Sequence, residues 1–333
     1  MKYTISEAQT ILEKVKTEIA KAFIGQDELV QQLLITLMAG GHILVEGVPG
    51  LGKTLLVRAA AKAIGGESRR IQFTPDLMPS DITGSVILDT ASGNFITKKG
   101  PVFTHILIAD EINRSPAKTQ ASLFEAMQEY QVSLDGESHT LPRPFMVLAT
   151  ENPFEHEGTY PLPDAQKDRF LMKAQISYPQ LEEEKAMVQQ VISGGTGAEL
   201  SISAVSKVMN PADFLALQEL VSSLHCDSAV IDYAVRLCAA TRSTAVLECG
   251  AGPRGSLSLI RCARARALLE GRDFILPDDV KALAVPVLAH RLTLSAEGEL
   301  EGLNENSIVE SILSSVEAPR ELPQEVPGII SET

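Results

Sequence analysis

An α/β domain built on a parallel sheet, followed by an all-α domain, is the fold class that the sequence predicts, and three observations predict it. The run HILIADE at 105–111 is continuously apolar before its acids, as suits a strand buried on both faces of a parallel sheet. A second apolar run of strand length, HILVEG, leads through the glycine-rich turn GVPGLGKT into the helix-forming LLVRAAAKAI. From Gln180 onward the pattern changes to helical periodicity, with polar turns such as GGTGAE and ECGAGPRG between segments.

In chain order the elements begin with a polar-faced helix at about 6–22 and a second at 27–39. The first strand and its turn follow, then a helix, and then a second strand at about 70–74. A hairpin at about 84–103 turns at Ser92-Gly93-Asn94, and another at 132–142 turns at Asp135-Gly136, a strong hairpin dipeptide. Between them runs the HILIADE strand, and after them a strand from Phe145 through LAT enters the long polar stretch that ends in KDRF. LEEEKAMVQQVI, PADFLALQELVSSL, SAVIDYAVRLCAATR, SLSLIRCARARALLEG and DDVKALAVPVLAHRL read as helices. Domains are expected at 1–180 and 181–295, and 296–333, rich in Glu and Ser, as a peripheral helix and tail.

Composition narrows the function. The N-terminus has no signal-peptide core and no run approaches the roughly 20 apolar residues of a membrane span, so a cytoplasmic protein without membrane contact is expected. A net charge of −14 argues against a general affinity for nucleic-acid backbones. The four cysteines, Cys226, Cys238, Cys249 and Cys262, stand 11 to 13 residues apart, which is not zinc-ligand spacing. They read as buried small hydrophobes.

The turn satisfies G-x-x-x-x-G-K-[ST] with Gly47, Gly52, Lys53 and Thr54. Glycines let backbone N–H groups converge on phosphate oxygens, and the following helix adds its N-terminal positive pole. Lys53 would neutralise the β- and γ-phosphates, and the Thr54 hydroxyl would complete the shell of a Mg²⁺. Asp110 and Glu111 emerge at the carboxyl end of the HILIADE strand, where ligands bind in open α/β sheets. Asp110 would hold the Mg²⁺ through water, and Glu111 would orient and deprotonate an attacking water.

GVPGLGKT, ILIADEINRSPAKTQASLFEAMQE, ATENPFEHEGTYPLPDAQKDRF and PRGSLSLIRCARARALLEGRDFILPDDV together resemble the MoxR family of AAA+ ATPases. The family lies in the helix-2-insert group, beside the magnesium chelatase ATPase subunit. The resemblance implies a five-stranded parallel AAA+ core carrying two β-hairpin inserts, a helical lid and a ring of subunits with ATP and Mg²⁺ as cofactors. It implies nucleotide contacts from Gly25 and Gln26 of FIGQ and from Gly47, Val48, Pro49, Gly50, Leu51, Gly52, Lys53, Thr54 and Leu55. It gives Asn152 the sensor-1 role of holding the attacking water, and Arg169 that of a finger reaching a neighbouring subunit's nucleotide. Arg254 matches sensor 2 and acts on either its own or the neighbour's nucleotide. Arg114 is a rival for the finger. A helix N-terminal arginine with no anion beside it would oppose the helix dipole. Arg261, Arg264, Arg266 and Arg272 read as a solvated or intersubunit face.

The expected function is Mg-dependent ATP hydrolysis by a ring, a hexamer, that remodels or activates a protein client or inserts a metal cofactor. A partner with a von Willebrand factor A domain is implied by the resemblance alone. An ATP-dependent assembly switch with partner-triggered hydrolysis is one alternative. A DNA-acting motor is another, and the charge weighs against it.

Overall fold

The computed structural model describes residues 2–48, 50–88, 90, 93–152, 159–193 and 201–319. Helix α1 (Ile5–Ala20) starts at a capping box in which Thr4 and Glu7 satisfy each other's backbone N–H groups. It buries Ala8, Leu12, Val15 and Ile19, one stripe at helical spacing. Helix α2 (Asp27–Met38) and strand β1 (Ile43–Glu46) follow, then α3 (Lys53–Ala63) and β2 (Ser68–Gln72). The second strand therefore begins two residues before the expected 70–74, because the exposed Arg69 and Arg70 still pair with the next strand.

A short helix α4 (Pro79–Thr83) leads into the hairpin of β3 (Gly84–Leu88) and β4 (Phe95–Lys99). Of the expected turn residues, Ser92 lies outside the described ones. Strand β5 (Ile106–Asp110) and helix α5 (Ala117–Glu129) precede the second hairpin, β6 (Gln131–Leu134) with β7 (Glu137–Thr140). Asp135 at φ 51° and Gly136 at φ 84° turn it, both in the left-handed region that a type I′ turn requires. Strand β8 (Met146–Glu151), the short α6 (Asp164–Lys167) and β9 (Met172–Gln175) complete this half.

The five strands β2, β5, β8, β1 and β9 lie side by side in that order, every pair parallel. Alternate residues face opposite layers. Ile43, Val45, Ile108, Leu148 and Met172 join the core under α1, α2 and α3. Leu44, Leu107, Ala109 and Val147 pack with Leu123 and Phe124 of α5. Burial on both faces explains the uninterrupted apolar runs.

Helices α7 (Leu181–Ser193), α8 (Pro211–Ser223), α9 (Ser228–Arg242), α10 (Pro253–Leu269) and α11 (Pro277–Leu288) follow. Strand β10 (Leu247–Cys249) pairs antiparallel with β11 (Thr293–Leu294), a small clip that helical periodicity does not signal. Helices α12 (Ala296–Leu300) and α13 (Glu305–Ser315) end the described chain. Helix α13 lies in the region expected as a C-terminal helix. Helix α13 buries Ile308, Val309 and Ile312, an apolar stripe that its Glu and Ser content obscures.

One further expectation is overturned in part. Cys238 and Cys262 are buried, but Cys226 is half-buried and Cys249, on the short strand β10, is exposed. The arginines of α10 and its end, expected as a solvated or intersubunit face, divide: Arg261 is exposed, while Arg264, Arg266 and Arg272 are half-buried. Arg272 forks onto buried Asp279 at 2.8 and 2.7 Å, and Arg266 Nε lies 3.4 Å from the same carboxylate. Arg261 donates to the Ala39 and Gly40 carbonyls at the end of α2, and Arg264 to the Ser222 carbonyl. A buried carboxylate needs cations around it, and sequence spacing alone does not reveal Asp279 as that carboxylate.

Candidate functional site

The carboxyl ends of β1, β5 and β8 meet at one edge of the sheet. The glycine-rich loop leaves β1 there, and Gly47 N–H donates to the Glu151 carbonyl of β8 at 3.2 Å. A Cβ on Gly47 would fall 2.5 Å from the Ile176 carbonyl, so no larger residue fits against the β9 exit. Gly52, at φ 80°, is the N-cap of α3 in a conformation that side chains disfavour, and it frees the first-turn N–H groups. Lys53 and Thr54 stand in that first turn, Leu55 is buried behind it and Leu51 packs on the core. Val48 and Gly50 complete the described part of the loop, and Pro49 lies outside the described residues. Gly25 and Gln26 flank this edge: Gln26 Nε2 donates to the Ser177 carbonyl at 3.0 Å, just beyond β9.

Lys53 Nζ donates to the Gly47 carbonyl at 3.0 Å and the Val48 carbonyl at 3.3 Å. Burial lowers its pKa, while Asp110 and Glu111 oppose that shift. The side chain is thus a cation held among its own loop's backbone oxygens, in reach of an anion. A cradle that a Cβ would fill, a helix N-terminus and this lysine fit a phosphate group. Thr54 and Asp110 supply the hydroxyl and carboxylate able to hold a divalent cation.

Asp110, buried at the end of β5, accepts from Thr150 Oγ1 at 3.1 Å and from Arg70 Nε at 2.5 Å. Glu111 adopts φ 55°, ψ 52°, a left-handed conformation that costs a non-glycine residue about 1 kcal/mol or more. Its N–H donates to Thr150 Oγ1 at 2.8 Å, which holds it there. Its carboxylate accepts from Gln72 Nε2 at 2.7 Å and Arg114 Nη1 at 3.1 Å. Arg114 is therefore engaged with its own chain's acid. Asn152, one residue past β8, is largely buried at the same edge and lines a cleft of about 1000 Å³ with Gln26, Glu46 and Glu151. Neither Lys53 nor Thr54 lines that cleft, so it adjoins the loop and is not the phosphate cradle itself. Glu151 has a raised pKa, mainly from burial and also from Glu46, with Lys173 and Lys167 opposing.

Arg169 is elsewhere. It stands just before β9, and Leu171 N–H bonds the His42 carbonyl just before β1, so this segment lies at the opposite, amino edge of the sheet. The four residues of β1 separate the two edges by roughly 13 Å. The Arg169 guanidinium sits 5.5 Å from the Phe124 ring and lines a surface cleft of about 290 Å³ with Gln166, Glu125 and Gln128. Arg254, in the first turn of α10, reaches Asp168 Oδ2 at 3.4 Å. That carboxylate is the anion which a cation at a helix N-terminus calls for. Of the residues singled out in the sequence, the structure gathers Gly47, Lys53, Thr54, Asp110, Glu111 and Asn152, and sets Arg169 and Arg254 together away from them.

Sequence reasoning missed Thr150, Gln72, Arg70 and Arg291. Thr150 and Gln72 contact Glu111 across strands from 39 positions away, and no local pattern marks them.

A parallel five-stranded sheet with this loop after its fourth-placed strand, and acids on the strand two places away, defines a P-loop nucleotide-binding protein. Residues 42–172 match the ATPase family associated with various cellular activities (AAA), and residues 239–312 match the AAA lid domain. The chain is 42% identical over 307 residues to the chaperone MoxR1 of Mycobacterium tuberculosis, covering 90% of this chain and 80% of that one. It is 31% identical over 318 residues to the protein MoxR of Methylorubrum extorquens, covering 86% and 89%. A crystal structure of a protein from Cytophaga hutchinsonii, designated an ATPase, superposes with a TM-score of 0.88 at 40% identity, over 95% of this chain and 97% of that one. The chain belongs to the MoxR family of AAA+ ATPases. Nucleotide binding follows from that membership. Among the described residues no helix is long and apolar enough to cross a membrane.

Proposed function

We propose that this protein hydrolyses ATP, with Mg²⁺, at sites completed between copies of itself in a closed ring, a hexamer. The observation that carries the reading is the separation of the two sets of residues. The loop and acids lie at the carboxyl edge of the sheet, and Arg169 with Arg254 lies at the amino edge. An arginine one strand-length from its own loop is placed to serve a different copy, and head-to-tail contacts of that kind close into rings.

In each site, backbone N–H groups of residues 48 and 50–54, together with the Lys53 amine, would bind the phosphates, with Thr54 and Asp110 holding the cation. The cation, when bound, neutralises charge on the β- and γ-phosphate oxygens. Glu111 would take the proton of the attacking water and Asn152 would orient that water. A neighbour's Arg169 would stabilise the charge of the transferring group, worth about 10³–10⁵ in rate for a finger supplied from outside. Arg254, tied to Asp168 beside Arg169, belongs with the same neighbouring contribution. The work of the cycle is chaperone-like: remodelling or activating a protein complex or inserting a metal cofactor. The name of the mycobacterial relative supports a chaperone role, and a von Willebrand factor A domain protein is the expected partner.

A second reading, an assembly switch whose hydrolysis a partner triggers, is favoured by the Glu111 carboxylate. Two donors already occupy Glu111 Oε2.

The test is ATP turnover per copy across a wide range of protein concentration, with Arg169→Ala mixed into wild type. Specific activity rising with concentration, and poisoning by a variant that still binds ATP, are the expected results. Turnover independent of concentration, with Arg169→Ala harmless, would remove the shared site and leave the switch.

A further inference from the structure

The amino edge of the sheet holds a buried arginine with no assigned role. Arg291 lies in the 3₁₀ turn Ala289–Arg291 after α11, and only 7% of it is exposed. Its guanidinium grips the segment around Arg169 without touching Arg169 itself. Nε donates to Asp168 Oδ1 at 2.9 Å, Nη2 to the Phe170 carbonyl at 2.7 Å, and Nη1 to the Leu171 carbonyl at 3.4 Å. Nη2 also lies 3.4 Å from the Asp168 carbonyl and 3.2 Å from Ser258 Oγ of α10. Nη1 further bonds the Val287 carbonyl and His290 Nε2. The residues on both sides of Arg169 are thereby fixed to the C-terminal helices. The second oxygen of Asp168 carries Arg254.

One carboxylate thus serves as the common reference for two arginines. A guanidinium presents five donors in a rigid plane, and here that plane matches a carboxylate and successive carbonyls that an ammonium could not satisfy together. Taking such a charge out of water is costly, so a grip this complete is needed simply to keep it buried. That cost would explain the hydrogen bonds on its own. It does not explain why they bracket Arg169 and share Asp168 with Arg254.

We propose that Arg291 is a positioning residue for the shared site, acting through Asp168 and Phe170 to hold Arg169, and through Asp168 to hold Arg254, at the geometry the neighbouring copy's nucleotide requires. The proposal rests on the reading that Arg169 and Arg254 serve a neighbour. Its consequence is specific: a defect at Arg291 damages the site of the next copy and spares the copy's own loop and acids.

Complementation between inactive variants tests this. Arg291→Lys alone should bind ATP normally and lose about 10²-fold in kcat, the usual cost of misplacing a catalytic group by about 1 Å, with KM for ATP unchanged. Mixed in equal amounts with Glu111→Gln, whose arginines are intact, it should regain turnover. Mixed with Arg169→Ala it should not, since both then lack a working arginine. Asp168→Asn, at a half-exposed carboxylate, should behave in the same way and carries the test if Arg291→Lys fails to fold. Wild-type turnover of Arg291→Lys would overturn the proposal. So would failure of Arg291→Lys and of Asp168→Asn to recover with Glu111→Gln while Arg169→Ala does recover with it, which would make the role structural within one copy. Failure of Arg169→Ala to recover with Glu111→Gln would bring down the shared-site reading itself, and this proposal with it.

Discussion

Gln72 on β2 donates to Glu111 just past β5 at 2.7 Å, a contact between neighbouring strands that fixes the carboxylate proposed to activate water. Arg114 approaches the same oxygen. A carboxylate held this way has a preset orientation, and both donors must be displaced before that oxygen is free to engage a water. Hydrogen bonds to charged groups are worth roughly 1.5–3 kcal/mol, about tenfold or more in rate if broken on the way to the transition state. Gln72→Ala should therefore raise basal ATP turnover about tenfold, read in steady state without partner or client. A fall in turnover would mean that Gln72 aims the base and does not restrain it.

Glu111→Gln should bind ATP as wild type does and lose about 10²–10⁴ in turnover, the range for a positioned base. Filter retention of labelled ATP after a single mixing reads both properties. Ordinary turnover by this variant would end the assignment of Glu111 as the base.

Thr150 bridges the two acids, donating to Asp110 Oδ1 and accepting the Glu111 N–H. Thr150→Val keeps the shape and removes both bonds, leaving a buried N–H in a left-handed backbone. The cost should be about 1–3 kcal/mol of stability. Turnover should fall further than the stability loss accounts for, with ATP affinity little changed. Denaturant unfolding alongside kinetics separates the two effects.

Lys53→Ala should abolish nucleotide binding measured by titration calorimetry. The fold should persist, since the amine's partners are carbonyls of its own loop. Retained affinity would place the phosphates elsewhere.

His42 gives the protein an acid limit. Its ring accepts the Val147 N–H on Nδ1 at 3.0 Å and donates from Nε2 to the Met127 carbonyl at 3.0 Å, an arrangement only the neutral form can make. Burial lowers its pKa from 6.5 to about 4; the Met127 bond opposes this, while nearby Arg261 and Arg143 add to it. Above about pH 6.5 the folded and unfolded chains are both neutral here, and the stability contribution is complete. As the pH falls from there toward 4, the unfolded chain takes up a proton that the folded chain refuses, at up to about 1.4 kcal/mol per unit. His290, buried and shifted down mainly by burial and by Arg291, acts in the same direction. Denaturant unfolding at pH 7 and 4.5 should show a smaller loss for His42→Gln than for wild type. Equal losses would remove His42 from the account.

What the sequence disclosed follows from where each signal resides. The loop, its helix, the acids after an apolar strand and the Asp135-Gly136 turn are written in contiguous residues, and the structure places them at the expected elements. The partners of those residues are not contiguous. Arg291 meets Asp168 across 123 residues, and His42 meets Val147 across 105. Spacing carries no trace of such pairings. Arg266 and Arg272 hid their partner for a related reason: they look like part of a charged helix face until Asp279, the carboxylate they meet, is seen to be buried. Cys249 looked like a core residue for want of any sign that a three-residue strand would carry it to the surface.

The sheet's parallel strands give each copy two unlike edges, and on the proposed reading one receives an arginine pair and the other gives it. A linear row of copies built on that rule always ends with one loop unserved and, at its other end, one arginine pair idle. The shortfall is one site per row whatever its length, so it weighs most on short rows and vanishes only on closure. Turnover per copy would then fall with the number of loose ends, and a partner that caps or joins those ends would change the rate without touching any site.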